Sequence, residues 1–358
     1  MNNKRFYPVL AALILFGGLS VCRAETYVLG DDQQWQAVSD DPQAQYMLAI
    51  SRIKTAIESG DSSGALAMLE QLRIDHPLLA GADLDAFIEA EMYFANADWS
   101  KAVKQYQRFL GDYPDSVLYN AALERLYSLA AGFLAGQKQS LLWVFKVPAW
   151  DKGAELMRQV ADKAGTAPLA HRAMKTLAEA QGRREKYMEA YQTWSEIADR
   201  WPSGDFGREA LLAMAQTLHV AYRNPESDAS VLRGALSYYE DFAKRYPATA
   251  DQYEVQQIIA TIREQMAYKK YHTGYYYERT DNVPAANLYY RQVIEDWPNT
   301  EAAALAQERL NAQQAGERLA APKTAGRKLF QIGNEVLDNW FGLDAFLDLP
   351  SPDKNEEQ

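Results

Sequence analysis

Acid–base or metal chemistry needs imidazole, thiol and carboxylate groups brought together, and this chain has four histidines and one cysteine with which to build such a site. His76, His171, His219 and His272 are widely separated, with no carboxylate or Cys at ligand spacing beside them. No nucleophile-elbow, phosphate-loop or dinucleotide-binding signature occurs either. The residues therefore predict no metal, no cofactor and no catalytic group. One enzymatic alternative stays open, in which two of the 48 acidic residues meet across the fold as acid and base. Solvated helix faces account for the same carboxylates more simply.

The thiol of Cys22 has a chemistry of its own. Leu19-Ser20-Val21-Cys22 resembles the bacterial lipobox, in which the Cys becomes the lipid-bearing residue; Cys22-Arg23-Ala24 instead offers small residues to the general signal peptidase. Both readings follow from Lys4 and Arg5 ahead of an apolar run, Val9 to Val21, of 13 residues. A membrane-spanning helix needs about 20. Residues 1–24 are accordingly read as a signal peptide, and the protein as exported. A single cysteine allows no intrachain disulfide.

Losing Lys4, Arg5 and Arg23 with the leader takes the formal charge from −11 to −14, which argues against nucleic acid as a partner. Lys269-Lys270 and Arg183-Arg184 read as solvated helix faces. With 48% hydrophobic and 12% aromatic residues there is material for a large core, but about 330 residues exceed what one compact core holds, so an extended array is expected.

The elements that must position these groups are helical almost throughout, because Gly and Pro fall between helix-periodic stretches. Residues 25–43 are the exception, with Tyr27-Val28-Leu29 and Trp35 to Val38 flanking Gly30-Asp31-Asp32 as an arm or short hairpin. Over 44–320 a small residue is followed by large apolar residues at +4 and +7 and by Pro at +12. The sets are Ala65/Leu69/Leu72/Pro77, Ala102/Tyr106/Phe109/Pro114, Ala190/Trp194/Ile197/Pro202, Ala235/Tyr239/Phe242/Pro247 and Ala286/Tyr290/Val293/Pro298. A degraded sixth unit is expected at Ala154 to Pro168.

Steps of four and three put these side chains on one helix face, the small residue admits a partner helix, and Pro ends the segment. The partner helix is legible where Ala90 and Tyr93 stand 12 and 9 residues before Ala102, and Gly274 and Tyr277 stand likewise before Ala286. These are tetratricopeptide offsets, so the expected fold is all-α, an irregular helix-hairpin solenoid of about five to six repeats. Its expected repeat core includes the small, aromatic and proline positions of the last four sets, among them Pro114, Pro202, Pro247 and Pro298, together with Gly274 and Tyr277. The stretch 133–150, with Leu141-Leu142-Trp143-Val144-Phe145, reads as an insertion, and Thr249 to Thr280 as one long helix or two abutting ones. Residues 321–358 read as a linker and an amphipathic helix, with Leu329, Ile332, Val336, Trp340 and Leu343 on one face, broadened by Phe330, Leu337 and Phe341. That helix could cap the array, enter a partner's groove or lie on a membrane.

Tyr268 to Tyr277-Glu278-Arg279, then Ala285-Ala286 to Asp296-Trp297-Pro298-Asn299-Thr300, resembles the last repeat of the BamD-like family, and Tyr106 to Tyr113-Pro114-Asp115-Ser116 is similar to an earlier one. The likeness runs from about Ala44 to Leu310. It implies a periplasmic scaffold at the inner face of the outer membrane, whose partners are the outer-membrane barrel assembly factor and unfolded outer-membrane proteins. Membrane attachment would then be through a lipid on Cys22 or through a partner. Tyr268, Tyr271, Tyr275 and Tyr276 occupy successive turns, so some must face outward; Tyr271, Tyr275 and Arg279 are the candidate contact residues, joined by Trp340 and Phe341 of the tail. A periplasmic adaptor linking cell-wall synthesis to envelope machinery is the alternative use of the same repeats.

Overall fold

The computed structural model describes residues 27–29, 35–37, 42–136, 149–317 and 319–320. Cys22 and the leader, the Leu141–Phe145 run, and Trp340 and Phe341 with the rest of 321–358 lie outside the described residues. Two strands, β1 (Tyr27–Leu29) and β2 (Trp35–Ala37), pair antiparallel with Val28 opposite Gln36. The helices follow as α1 (Pro42–Glu58), α2 (Ser62–Asp75), α3 (Ala82–Ala95), α4 (Trp99–Asp112), α5 (Tyr119–Leu134), α6 (Ala149–Ala164) and α7 (Pro168–Arg183). After them come α8 (Tyr187–Arg200), α9 (Gly204–Ala221), α10 (Ala229–Arg245), α11 (Pro247–Gln252), α12 (Val255–Arg279), α13 (Val283–Asp296) and α14 (Glu301–Gln314). Together they form an all-α helix-hairpin solenoid.

Each recurring proline acts on the residue before it. His76, Tyr113, Trp201, Tyr246 and Trp297 all take φ between −129° and −137° and ψ between 57° and 76°, out of the helical region, as the following Pro ring requires. Each still donates its N–H to the carbonyl four residues back, so the helix ends without an orphan acceptor there. The prolines themselves are not core residues. Contrary to expectation, Pro114, Pro202, Pro247 and Pro298 are all exposed, as is Pro77. The reason is that a proline stops a helix through the clash of its ring with its neighbour's backbone, which needs no burial, and five positions beyond the last apolar residue of the set it has left the apolar face. At Pro202 it is the backbone that is approached closely: a Cβ at Gly207 of α9 would stand 2.9 Å from its carbonyl carbon, while the residue itself is exposed. Pro247 serves as the first residue of α11, a position where the missing N–H costs nothing.

The entry to the second helix has its own signature. A left-handed residue stands five positions before the small one in four pairs, at Gly60 (φ 84°), Ala97 (56°), Glu185 (60°) and Asp281 (56°). Three of these are not glycine and carry the strain of that conformation.

Between those ends the helices pack as antiparallel neighbours in chain order, and first helices also touch one another, α1 with α5, α5 with α7 and α12 with α14. Second helices meet instead through the tips of long side chains, as Gln107 with Gln159 and Arg158 with Glu196, so the first helices line the inner side of the array. Ala65, Ala102, Ala190, Ala235 and Ala286 and the aromatic or aliphatic residues four and seven beyond them are all buried. Gly274 is buried with them and Tyr277 half-buried. The degraded unit sits one residue earlier than its sequence suggests. Gly153, not Ala154, takes the small position on α6, because a Cβ there would stand 3.0 Å from the Ala130 carbonyl oxygen of α5; Met157 and Val160 follow at +4 and +7, and Gly165 (φ 61°) turns the chain in place of Pro.

Of the two forms expected over 249–280, one long helix or two abutting ones, the chain takes the second. Glu254 is left-handed (φ 52°), leaving the short α11 and the 25-residue α12. Val255, Ile259 and Ile262 at the start of α12 share a core with α9 and α10, whereas Ala267, Tyr268 and Tyr271 share one with α13 and α14. At the joint, His219 of α9 pairs through Nε2 with Gln265 Oε1 at 3.0 Å, and burial pulls its pKa down to about 4.

Two outcomes follow from this packing. A Cβ at Gly274 would lie 2.8 Å from the Tyr290 ring, so Gly274→Ala is expected to lose about 1–3 kcal/mol by overpacking, whereas Ala97→Gly should gain about 1 kcal/mol by relieving its left-handed backbone; urea titration reads both. For His219, the unfolded chain takes a proton near pH 6.5 that the fold refuses until about pH 4. Its contribution is thus intact above pH 6.5 and lost as pH falls toward 4, by at most about 3 kcal/mol. His219→Gln should flatten the pH dependence of the melting temperature over that window.

Candidate interaction surface

Ion pairs are carried into the core at two places. In the first, Glu91 of α3, Tyr106 of α4 and Arg125 of α5 are all fully enclosed. Arg125 grips both oxygens of Glu91, Nε to Oε1 at 2.8 Å and Nη2 to Oε2 at 2.7 Å, while the Tyr106 hydroxyl donates to Oε1 at 2.5 Å. The guanidinium also lies 4.3 Å from the centre of the Phe94 ring. Burial alone would lower the Arg125 pKa, but the bonds to Glu91 outweigh it and leave the group raised; burial drives the Tyr106 hydroxyl well above its usual range. The lock thus joins the two helices of one repeat to the first helix of the next.

The second lock uses Glu278 of α12, Tyr290 of α13 and Arg309 of α14. Tyr290 donates to Glu278 Oε2 at 2.6 Å, and Arg309 Nη1 reaches Glu278 Oε1 at 3.1 Å. Tyr106 and Tyr290 hold the same repeat position, and each Arg follows its Tyr by 19 residues. That spacing is the signal that marks Arg125 and Arg309 in the sequence, where the repeat pattern alone picks out only the tyrosines; Glu91 and Glu278 share no offset and carry no such signal.

The inner side between the locks is polar and already self-paired. Arg172 of α7 makes an ion pair with Glu124 of α5 and lies 4.5 Å from the Tyr127 ring centre, whose hydroxyl is 3.0 Å from Thr176. Lys175 bonds Glu209 of α9 at 2.5 Å, and His171, stacked on Phe206 with centroids 3.7 Å apart, has its Nε2 3.7 Å from the same carboxylate. Burial lowers the pKa of His171 and raises that of Glu179. A cleft of about 470 Å³ opens here, walled by Lys175, Glu179, Arg208 and Glu209 over Trp194 and Phe242. Such a wall offers alternating charge to an extended polypeptide. Among the described residues no cluster of three or more His, Cys, Asp or Glu is disposed to hold a metal ion.

On α12 the expected contact patch is rearranged. Tyr271 is only 1% exposed and is not a surface residue. It stands one helical turn before Gly274, so it points with that glycine into the α13–α14 core, its ring 5.6 Å from Tyr290 and its hydroxyl accepting from Arg309 Nε at 3.4 Å. Tyr275 is half-buried, lying between the guanidinium of Arg309 at 5.1 Å and that of Arg279 at 5.8 Å. Arg279 is exposed on the last turn. Tyr276, which the sequence does not single out, is the exposed tyrosine at 53%, and it leads an aromatic run through Tyr277 to Tyr289, the latter two stacked at 5.4 Å.

Helix pairs joined in this way, with small–aromatic–proline second helices, define a tetratricopeptide-type interaction protein, and residues 87–116 match the tetratricopeptide repeat model. Residues 209–328, from α9 past α14, match the YfiO family of outer membrane lipoproteins, and over that part the chain is similar to BamD-like tetratricopeptide proteins. Comparison with curated proteins finds no match. No helix among the described residues is long and apolar enough to cross a membrane.

Removing one partner of a buried ion pair strands the other. Arg125→Met is therefore expected to lose about 3–5 kcal/mol, and Glu91→Leu with Tyr106→Phe and Arg125→Met to recover most of it, as measured by urea unfolding of the two variants.

Proposed function

We propose that this protein is a non-catalytic periplasmic scaffold at the inner face of the outer membrane, which holds the barrel-forming assembly factor and unfolded outer-membrane proteins during β-barrel assembly. The observation that carries the reading is the family match over 209–328, the part of the array that contains the exposed Tyr276 and Arg279 beside Tyr275. Tyr and Arg on rigid helices supply contact area and hydrogen bonds with little entropy to lose. The polar cleft walled by Lys175, Glu179 and Glu209 suits the second role, because a passing unfolded chain needs weak and exchangeable contacts. A lipid on Cys22 or the partner itself supplies attachment to the membrane.

A photo-crosslinking residue at Tyr276, used in the native envelope, tests this. The barrel assembly factor should be the dominant capture. Arg279→Glu should reduce that capture at least tenfold with the melting temperature unchanged. Recovery of cell-wall synthases in its place would overturn the assignment while leaving the fold intact.

A further inference from the structure

Five charged side chains wall the cleft over Trp194 and Phe242, and four of them already answer one another. Lys175 Nζ lies 2.5 Å from Glu209 Oε1, and His171 Nε2 stands 3.7 Å from the other oxygen of that carboxylate. Arg208 Nη2 donates to Asp205 Oδ1 at 2.8 Å. Glu179 is the exception. Its carboxylate accepts no hydrogen bond from any described residue, and its one ion pair, with Lys175 Nζ at 4.0 Å, is to an ammonium committed to Glu209. Arg183, one turn further along α7, acts on it only through its field. The side chain is 18% exposed, so water solvates it poorly, and burial pushes its pKa up. A carboxylate held out of water without a donor is the group that a charge-assisted hydrogen bond relieves.

The rest of the cleft suits an organic cation rather than an anion or a metal ion. Its two cationic groups are spent on carboxylates, and among the described residues no cluster of three or more side chains is disposed to hold a metal. A volume of about 470 Å³ admits a side chain together with its stem. The mouth is aromatic: Tyr253 lines it, is 46% exposed, and pairs with no other ring or cation among the described residues. It immediately precedes the left-handed Glu254, where the chain leaves α11 for α12. A free tyrosine face beside an undonated carboxylate offers a cation both its contacts.

We propose that this cleft binds the cationic side chains, Arg and Lys, of an extended polypeptide, the charged head bonding to Glu179 and the apolar stem lying against Tyr253. Basic residues are then the points at which a passing chain pauses. That the cation belongs to an unfolded chain rests on the scaffold reading above; the cation site does not.

The probe is an end-blocked Gly-Ser peptide with two central arginines and an uncharged dye, its binding to the full-length mature protein followed by fluorescence anisotropy at physiological ionic strength. The same peptide with citrulline, the neutral isostere of arginine, is the control. Glu179→Gln should weaken the arginine peptide about tenfold, to the level of the citrulline peptide, with the melting temperature kept. Tyr253→Ala should weaken it about threefold, and Lys175→Met, which removes the competing ammonium, should tighten it. These two effects of opposite sign decide the matter should Glu179→Gln fail to fold. Equal binding of the arginine and citrulline peptides overturns the site. So does an equal loss from Glu295→Gln, exposed on α13, because the attraction is then the diffuse field of an acidic chain. Free arginine amide that displaces the peptide as effectively as unlabelled peptide does overturns the polypeptide source and leaves the cation site. Capture of the assembly factor at Tyr276 is read independently, so its failure leaves the peptide result standing.

Discussion

A helical hairpin cannot bury its own apolar face, and that constraint governs everything in this array. Each second helix presents a small residue with apolar side chains one and two turns on, and these are covered only when the first helices of two repeats close over them. The approach is close enough that backbone is met directly, as at Gly153 against the Ala130 carbonyl, or an aromatic ring, as at Gly274 against Tyr290. Stability is consequently local and handed from neighbour to neighbour, which is why the core divides into three clusters along the chain. The α12 helix contributes to two of them.

What can be read from the sequence is what repeats. The small–aromatic–proline spacing is dictated by helix periodicity and by the clash of Pro with its predecessor, so it locates five second helices by itself. It does not tell a proline that ends a helix from a residue that fills the core, which is why Pro202 and its counterparts look like core positions and lie at the surface. The sixth unit falls one residue from its expected place because two adjacent small residues, Gly153 and Ala154, satisfy the same pattern and only the proximity of α5 separates them. Tyr271 reads as a surface residue because four tyrosines on one helix cannot all be buried. Its spacing from Gly274 carries the opposite answer, since a residue one turn from the small position must share its face. The break at Glu254 has no signal of type, because nothing in a glutamate announces a left-handed backbone.

The buried locks are invisible for another reason. Glu91, Arg125, Glu278 and Arg309 are charged residues, and periodicity assigns such residues to solvent. A long-range relation, an Arg 19 residues after the core Tyr, distinguishes the two arginines and occurs in two repeats alone, while the glutamates have no common offset. A buried ion pair adds little net stability against an apolar replacement of the same shape, so its value lies in geometry: it fixes which helix meets which, and at what height.

The two locks differ in one exchange: Glu91 and Phe94 stand 11 and 8 residues before Ala102, whereas Tyr275 and Glu278 stand 11 and 8 before Ala286, so acid and aromatic have changed places. Where Arg125 sits, repeats continue on both sides, and a guanidinium fully engaged by Glu91 presents nothing outward. Arg309, in the same register, divides its donors among Glu278, Tyr271 and the backbone carbonyls of Leu319 and Ala320. Moving one carboxylate by a single turn changes what the guanidinium can reach without changing the helices that carry it. The tyrosines that surround the second lock divide accordingly: Tyr271 and Tyr290 hold its inner side, Tyr275 lies against the guanidinium, and Tyr276, offset from them around the helix, stays exposed.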